Sequence, residues 1–282
     1  MTVIPILLYH SVTDEPAGWI APFAVTPTTF VRHVDGILDS GRTAMTVTEL
    51  CSALAGGTVL PARPVVITFD DGFADFFRAA QYLARYRLPS TLYACTGALR
   101  GGQPRPADLA LPDADMLDWS QLGELCELGV EIGAHTHHHP QLDVMRDAAV
   151  VDEIRRSKEL LEDVLATEVP SFAYPHGFQS RATRRAAAAA GHTSAAAVMD
   201  ALGSEAAAVY ALPRLTVRST TSTAQLAQWL HGRGAAMASD GERLRTTAWR
   251  MYRRVRGTRS TRGVFSQGPK PVGGPSVTGT HQ

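Results

Sequence analysis

Short apolar runs alternate with amphipathic segments along most of the chain. The runs are rich in β-branched and aromatic residues and end at polar residues, glycine or proline, which is typical of strands. The segments between them repeat apolar positions every three to four residues, which is typical of helices. The pattern predicts strands at 3–11, 42–47, 63–69, 89–95, 130–135 and 170–175, followed by apolar runs at 193–199 and 211–217. It predicts helices at 26–41, 46–57, 72–87, 118–129, 147–165, 180–191 and 222–232.

The first helix illustrates how the ends of these elements are predicted. Thr29 can cap its amino end, and Gly41 can end it. Between them lies an apolar stripe at helical spacing, made of Phe30, Val34, Ile37 and Leu38. Such a stripe predicts one buried face.

Strands that alternate with helices favour a mostly parallel sheet, either closed into a barrel or open and covered on both faces. The positions of the chemically capable residues separate these alternatives. Such residues directly follow four different apolar runs: His10, then Asp70 with Asp71, then His135, then Pro175 with His176. Barrels of parallel strands build their active sites at the carboxyl ends of several strands. The sequence therefore favours an α/β barrel in a single domain, with a basic C-terminal tail.

The composition is that of a globular protein of 282 residues, 45% of them hydrophobic. The three cysteines, Cys51, Cys95 and Cys126, have no metal-ligand spacing, so we expect buried small side chains in a reducing compartment. The apolar segment in the first residues is shorter than that of a signal peptide. No stretch approaches the ~20 apolar residues of a membrane span. We therefore expect a cytoplasmic protein.

The formal net charge is zero, but the charges are unevenly distributed along the chain. Residues 243–282 carry nine basic and no acidic side chains, so the preceding part carries the compensating negative charge. We predict a catalytic barrel over 1–235, a basic amphipathic helical segment over 236–257 and a disordered tail over 258–282. Residues 243–257 could contact an anionic membrane, which would make the protein peripheral on the inner membrane face, or dock on the acidic body, or bind nucleic acid without specificity.

Two adjacent carboxylates end the run "VVITFDDG", where Asp70 and Asp71 follow a buried strand. Like charges repel at this distance, which points to a metal ion or a catalytic proton beside them. A second motif, "GAHTHHHPQL", places His135 and His139 four residues apart. One aspartate and two histidines form an open ligand set for Zn²⁺ or a similar divalent ion. The alternative is a solvated turn that binds metal only adventitiously.

The sequence "TFDDG", taken with H-T-x-x-H-P-x-L, resembles the polysaccharide deacetylase family, the NodB-homology or carbohydrate esterase family 4 proteins. The resemblance covers about residues 3–232. The "LLYHSV" and "FAYPHG" segments are similar to a circularly permuted branch that includes poly-N-acetylglucosamine deacetylases. The resemblance implies a distorted (β/α)7 barrel and metal-dependent removal of N-acetyl groups from sugars.

The same resemblance implies roles for individual residues. Asp70 would be the general base, and Asp71, His135 and His139 would bind the metal, with Zn²⁺ favoured over Co²⁺ or Ni²⁺. The backbone around Tyr174, Pro175 and His176 would bind the oxyanion. His137 and His138 are expected to be exposed or to lie behind the ligands, while Asp118 would cap a helix and Trp119 would pack or line the rim.

The chain departs from the classical family pattern at two points. The arginine that orients the base is replaced by Ala173, and Arg214 in "LPRLTV" is a candidate substitute, although a structural role for it stays open. The late histidine motif that supplies the general acid is not cleanly present. Resemblance to the permuted branch implies that His10, in the leading "YH" pair, is the general acid instead, with His176 as the next candidate. Histidine suits this role because it titrates near neutral pH.

We therefore predict a metal-dependent deacetylase acting on an N-acetylated sugar: a glycoside, a lipid-linked sugar or an oligosaccharide. A C–N hydrolase acting on a non-sugar amide and a noncatalytic carbohydrate-binding relative are the alternatives. No specific nucleic acid partner is predicted. The loop 101–115, rich in glycine and proline, is expected to shape specificity.

Overall fold

The computed structural model of the protein describes residues 2–238. The strands are β1 Val3–Ile4, β2 Ile6–Tyr9, β3 Ser11–Val12, β4 Ala24–Val25, β5 Thr43–Met45, β6 Pro64–Asp71, β7 Ser90–Ala94, β8 Val130–Ala134, β9 Ser171–Ala173, β10 Ser194–Ala196, β11 Ala201–Ser204, β12 Leu215–Thr216 and β13 Ala236–Met237. The α-helices are α1 Pro27–Asp39, α2 Val47–Leu54, α3 Phe76–Arg85, α4 Gln121–Glu127, α5 Asp147–Leu165, α6 Arg181–Ala189 and α7 Thr223–Leu230. Short 3₁₀ turns cover Ala21–Phe23, Leu142–Val144, Pro175–Gly177 and Val209–Ala211.

Seven parallel strands curl into the predicted distorted barrel, in the order β10-β9-β8-β7-β6-β2-β12, and β5 pairs with β6. A bridge between Ala196 of β10 and Leu212, just before β12, links the two ends of this sheet. The parallel arrangement places the carboxyl ends of all seven strands on one rim. The barrel prediction is confirmed, and the functional residues are expected on that rim.

Strand β6 is buried along its whole length because helices cover one face and the barrel interior lies on the other. Ile67 and Phe69 pack in the larger apolar cluster, which includes residues of α1 and α3. Val66 belongs to the cluster that also contains Ile6 and Tyr93. Because side chains alternate along a strand, Asp70 shares the face of Val66. The apolar pattern of β6 thus aims one aspartate at the barrel interior.

The N-cap of helix α1 lies three residues before the predicted cap. Thr26 is its N-cap, accepting a hydrogen bond from the Thr29 backbone N–H at 3.1 Å, and Pro27 occupies the first helical position. Proline suits that position because it lacks the N–H that would stay unpaired there. Helix α5 covers the predicted 147–165 and ends at Ala166 in the left-handed conformation.

Strand β11 joins the two ends of the described chain in a small separate sheet. It pairs antiparallel with β1 and parallel with β13. Since Ala236–Met237 is a strand, the predicted helical segment does not begin at residue 236. The predicted helix over 243–257 and the tail over 258–282 lie outside the described residues.

Two sequence-level expectations about burial and membrane association can be compared with the described chain. Cys51 and Cys95 are buried as expected, but Cys126 is exposed, because it lies on the outer face of α4. Among residues 2–238, no helix has both the length and the apolar character needed to cross a membrane.

Candidate active site

A cavity of about 310 Å³ opens at the rim where the parallel strands end. It brings together five of the residues singled out from the sequence: His10, Asp70, Asp71, His135 and His139. His176 also lines it, as do the rings of Trp19 and Phe23. Leu111, from the loop expected to shape specificity, forms part of the wall. Residues distant in sequence therefore meet in one site.

Asp71, His135 and His139 form a compact group at the floor of this cavity, and one potential ligand atom of each lies within 4.8 Å of the others. Asp71 Oδ1 is 3.1 Å from His139 Nε2 and 3.4 Å from His135 Nε2. His135 Nδ1 is 2.9 Å from the Ala173 carbonyl oxygen. Because a carbonyl only accepts, Nδ1 carries the proton there, and the Nε2 lone pair of the neutral ring faces Asp71.

The donors of this triad fit a divalent cation. Asp71 Oδ1 is buried and has no hydrogen-bond partner among the described residues, although an unpaired buried oxygen is costly. Burial opposes a charge on His135, but Asp70 and Asp71 outweigh it and raise the His135 pKa, so the site favours a positive charge at this point. Two imidazole nitrogens and one carboxylate oxygen match the ligand preference of zinc-like ions and leave coordination positions open.

Asp70 is held by a buried, two-point ion pair with Arg214. The Arg214 guanidinium donates to Asp70 Oδ1 at 2.6 Å and to Oδ2 at 2.8 Å, and its Nε donates to the Ala197 carbonyl. Arg214 is fully buried. Burial tends to raise the pKa of Asp70, but Arg214 and His135 outweigh this effect, so the Asp70 pKa lies below its usual value. The carboxylate is therefore ionised and fixed in orientation.

Asp71 reaches the same cavity through an unusual backbone conformation. Its φ is 76°, in the left-handed region that a residue other than glycine rarely adopts. In an ordinary strand, the side chains of Asp70 and Asp71 would point to opposite faces. Burial opposes ionisation of Asp71, but His139 and His135 outweigh it and hold the Asp71 pKa well below its usual value.

His10 follows β2 and lies on the wall of the cavity beside Phe23, with the two ring centroids 5.3 Å apart. Its Nδ1 atom is buried and has no hydrogen-bond partner among the described residues. Burial lowers the His10 pKa, although Asp71 and Asp70 act in the opposite direction. A histidine with a lowered pKa is neutral at pH 7 and gives up a proton readily once charged.

The three residues predicted to bind the oxyanion lie in three different environments. His176 lies in the turn after β9 with φ 58°, and its ring contacts that of His139 at 4.7 Å. The Tyr174 side chain is buried away from the cavity, and its hydroxyl donates to the Tyr210 carbonyl oxygen. Pro175 is buried and has no N–H to donate. Of these three, His176 is the one that lines the cavity.

His137 and His138 lie behind the ligand loop. His137 is buried, and its Nδ1 pairs with the Thr96 hydroxyl at 2.9 Å. His138 pairs with Glu153 of α5, which also accepts hydrogen bonds from the backbone N–H groups of His137 and His138. These contacts anchor the loop that carries His139.

Asp118 and Trp119 lie at the start of α4, outside the catalytic cavity. Asp118 accepts hydrogen bonds from the backbone N–H and hydroxyl of Ser120. Ser120 is the N-cap residue of α4, so Asp118 lies two residues before the position predicted for it. Trp119 lines a separate cavity of about 280 Å³ beside the loop 101–106.

The fold and the site together define a class of barrel proteins with a candidate Asp-His-His metal site beside an ionised aspartate. Residues 58–195 match the model of the polysaccharide deacetylase family. This part of the chain contains the candidate metal triad, Asp70 and His176. The chain thus matches the polysaccharide deacetylase family over these residues, as its sequence motifs predicted.

Individual relatives agree with this assignment. The Bacillus subtilis protein YxkH, whose name places it among the polysaccharide deacetylases, is 25% identical over 215 residues, which is 76% of this chain and 71% of YxkH. The deacetylase PplD of Streptococcus pyogenes, solved in complex with acetate, is 25% identical with a TM-score of 0.70 and covers 80% of this chain and 97% of its own. IcaB from Ammonifex degensii, at 21% identity and a TM-score of 0.65, shares the fold and covers 82% of this chain and 97% of its own.

The family match does not extend to every residue of the cavity. His10 and Arg214 lie outside residues 58–195, so their placement rests on this structure. Arg218 also lines the cavity and was not singled out from the sequence. It follows the predicted run "ALPRLTV" directly, so the rule that drew attention to the other strand ends would have found it.

Proposed function

We propose that the protein is a metal-dependent hydrolase that removes the acetyl group from an N-acetylated sugar. The observation that carries the proposal is the triad of Asp71, His135 and His139 beside an aspartate that Arg214 grips at both oxygens. A carboxylate fixed next to a cation site is what amide hydrolysis by water requires, because the water must lose a proton as it attacks.

Asp71, His135 and His139 would hold the divalent ion, with Zn²⁺ favoured by the donor set. When bound there, such an ion supplies Lewis-acid activation of the water and of the amide carbonyl.

The residues of the chain then account for the proton transfers. Asp70 accepts a proton from the water as its oxygen attacks the carbonyl carbon, and Arg214 keeps both carboxylate oxygens in place. The resulting oxyanion is stabilised by the backbone N–H of His176. His10 is neutral at rest, so it first takes up a proton from solvent; it then donates this proton to the nitrogen as the C–N bond breaks, and acetate and the free amine leave.

Features of the cavity wall support a sugar over a non-sugar amide. Trp19 and Phe23 are only partly buried and line the cavity. Flat aromatic rings with a few polar groups nearby suit the apolar faces of a pyranose ring. A noncatalytic role is disfavoured because the base, the three ligands and His10 all face one cavity.

Zinc binding tests the metal site first. We expect one tight site by calorimetry in the metal-stripped protein and none in the double variant Asp71→Asn, His139→Ala. His138→Ala is the matched control, because this histidine lies in the same run but pairs with Glu153. Equal binding by the wild type and the double variant would mean that the histidine run binds metal adventitiously.

Acetate release from N-acetylated sugars then tests the reaction. The zinc-loaded protein should release acetate, and Asp70→Asn should abolish the release while still binding zinc. Tight zinc binding without acetate release from any N-acetylated sugar would refute the enzymatic function.

The cellular setting is part of the same proposal. We propose that the substrate is an intracellular glycoside or a lipid-linked precursor, with the segment 243–257 as a contact for an anionic membrane. Unchanged sedimentation with anionic liposomes after deletion of 243–282 would contradict the membrane contact. Acetate release from extracellular polymer alone would contradict the intracellular substrate.

A further inference from the structure

Arg218 lies on the wall of the catalytic cavity, two residues after the end of β12, the last strand of the barrel. The backbone at this point is well fixed. The Val217 N–H donates to the Leu8 carbonyl at 2.8 Å and so continues the pairing of β12 with β2. The Arg218 N–H donates to the Thr221 hydroxyl at 2.9 Å. The side chain therefore starts from a rigid strand end, as do the other residues of the site.

The guanidinium is oriented by two contacts that leave donors available. Its central carbon lies 5.1 Å from the centre of the Phe23 ring, and the ring of His10 contacts the same phenylalanine. Its Nη2 is 3.4 Å from Asp200 Oδ2, while Asp200 Oδ1 accepts a hydrogen bond from the Thr216 N–H. A guanidinium has five donors, and the Arg218 side chain is 44% exposed.

The charges around the cavity distinguish Arg218 from Arg214. Arg214 is fully buried and committed to Asp70 through two short hydrogen bonds. Arg218 is paired at longer range with a carboxylate that is itself 55% exposed. An exposed ion pair of this kind adds little to stability. A planar guanidinium at the edge of an active site is suited to bind carboxylate or phosphate through two parallel hydrogen bonds.

We propose that Arg218 binds an anionic group, a phosphate or a carboxylate, carried by the N-acetylated sugar, so that the enzyme selects an anionic sugar as its substrate. The inference rests on the proposed deacetylase function and deepens it. Phe23 would hold the guanidinium flat on the cavity wall, and the sugar would span the distance between Arg218 and the metal triad.

The test compares three sugars with the zinc-loaded full-length protein. They are methyl N-acetylglucosaminide, which is neutral, N-acetylglucosamine 1-phosphate and N-acetylmuramic acid, which carries a carboxylate. We expect the preferred anionic sugar to have the higher kcat/KM, mainly through a lower KM. The two anionic arms distinguish phosphate from carboxylate.

Substitution at Arg218 should remove this preference. Arg218→Gln should lower kcat/KM for the anionic sugar by about 10- to 100-fold, the usual effect of losing hydrogen bonds to a charged group, and leave the neutral sugar nearly unchanged. Arg218→Lys should retain part of the preference, because lysine keeps the positive charge but lacks the two parallel donors of the guanidinium. Arg155→Gln is the matched control, since Arg155 is an exposed, paired arginine on α5.

Binding by calorimetry separates failure of this inference from failure of the proposed function. Without acetate release from any sugar, anionic-sugar binding that is lost in Arg218→Gln and kept in Arg155→Gln would support the anion site and refute the hydrolase. If the rate of acetate release depends neither on the charge of the sugar nor on Arg218, the anion site is overturned and the hydrolase function stands. Equal binding by wild type and Arg218→Gln would place the anion on the metal and also overturn it. Absence of both binding and turnover would overturn both.

Discussion

At the scale of single residues, the site depends on two adjacent aspartates with different environments. Asp70 continues the inward face of β6 and is neutralised by Arg214. Asp71 turns into the same cavity through its positive φ and faces two histidine nitrogens. Backbone strain of this kind persists where surrounding contacts fix it, often at functional sites. The strain brings both carboxylates to one cavity, as the proposed roles of Asp71 as metal ligand and Asp70 as base require.

Replacement of Arg214 tests the partner of the base. Arg214→Met leaves the buried Asp70 carboxylate unpaired, which typically costs about 3–5 kcal/mol of folding stability. It should also raise the Asp70 pKa, because burial raises this pKa and the variant lacks the Arg214 charge that lowers it. The acid limb of the kcat/KM profile should then move to higher pH. The measurements are urea unfolding and acetate release as a function of pH.

The double variant Arg214→Met, Asp70→Asn is the control for this prediction. It removes the unpaired charge and should recover part of the lost stability without recovering activity. An unchanged pH profile in Arg214→Met would show that Arg214 does not set the ionisation of the base.

The sequence predicted that Asp71, His135 and His139 would lie together beside Asp70, because strand ends and a histidine run mark these residues directly. It identified Arg214 only as a candidate, since pairing with Asp70 depends on contacts between distant parts of the chain. It could not show that the Tyr174 side chain points into the core, because the turn at His176 decides which side chain of that segment faces the cavity.

At the scale of elements, helix α5 supports the ligand loop through Glu153. Its carboxylate accepts hydrogen bonds from the backbone N–H groups of His137 and His138 and pairs with the His138 ring. His139, the next residue, is held with φ 55°. The helix therefore supports the loop that carries His139, a predicted metal ligand.

Glu153→Gln tests this support. An amide can still accept hydrogen bonds but loses the charge that strengthens all three contacts. We expect zinc affinity to fall by about 10- to 100-fold, as for other groups that orient metal ligands, with a smaller change in kcat at saturating zinc. Glu159→Gln, on the exposed face of the same helix, is the control and should bind zinc like the wild type.

The helices were predicted more accurately than the short strands. The apolar repeat of α5 continues over all 19 residues of the helix and therefore indicates its length. Strand β11 was not predicted, because its sequence "ALGS" is small and carries no alternation. Its pairing partners are β1 and β13, which are far away in sequence. The cap of α1 was misplaced because Thr26 and Thr29 are chemically equivalent candidates.

At the scale of the whole molecule, the two ends of the barrel have separate tasks. The catalytic cavity occupies the carboxyl ends of the strands. At the opposite end, Arg42 donates to the carbonyl oxygens of Val3 and Pro64 and, through Nε, to that of Leu230. One side chain thus joins β1, the start of β6 and the end of α7.

Arg42→Met should lower stability without affecting catalysis. Three backbone carbonyls lose a charged donor, which we expect to cost about 2–4 kcal/mol in urea unfolding. The kcat of the folded enzyme should be unchanged because the cavity lies at the other end. Arg155→Met on α5 should change stability by less than about 0.5 kcal/mol. A fall in kcat in Arg42→Met would show that the two ends are coupled.

Acid should destabilise the fold through His192. Burial lowers the His192 pKa to about 3, and its Nδ1 donates to the Val169 carbonyl oxygen. In the unfolded chain, the His192 pKa is about 6.5, so between about pH 6.5 and pH 3 the unfolded chain binds a proton that the folded chain does not. The free energy of unfolding therefore falls as the pH drops below about 6.5 and continues to fall toward pH 3. Between pH 7 and pH 5 this residue should account for about 2 kcal/mol.

The comparison is made by urea unfolding in the presence of a chelator, so that metal release does not contribute. His192→Gln should lose about 2 kcal/mol less than the wild type between pH 7 and pH 5. Equal losses in both proteins would assign the acid sensitivity to other groups.

The pairing of β2 with β12 also bears on how the protein is made. Leu7 pairs with Leu215, a residue synthesised more than two hundred positions later. His10 leaves the ribosome before Thr216 and Arg218, the distant residues that line the same cavity. Strand β2 can pair with β6 first and with β12 only later, and closing so long a loop is slow. A truncated or stalled chain would lack the finished cavity even where the aspartates and histidines are all present.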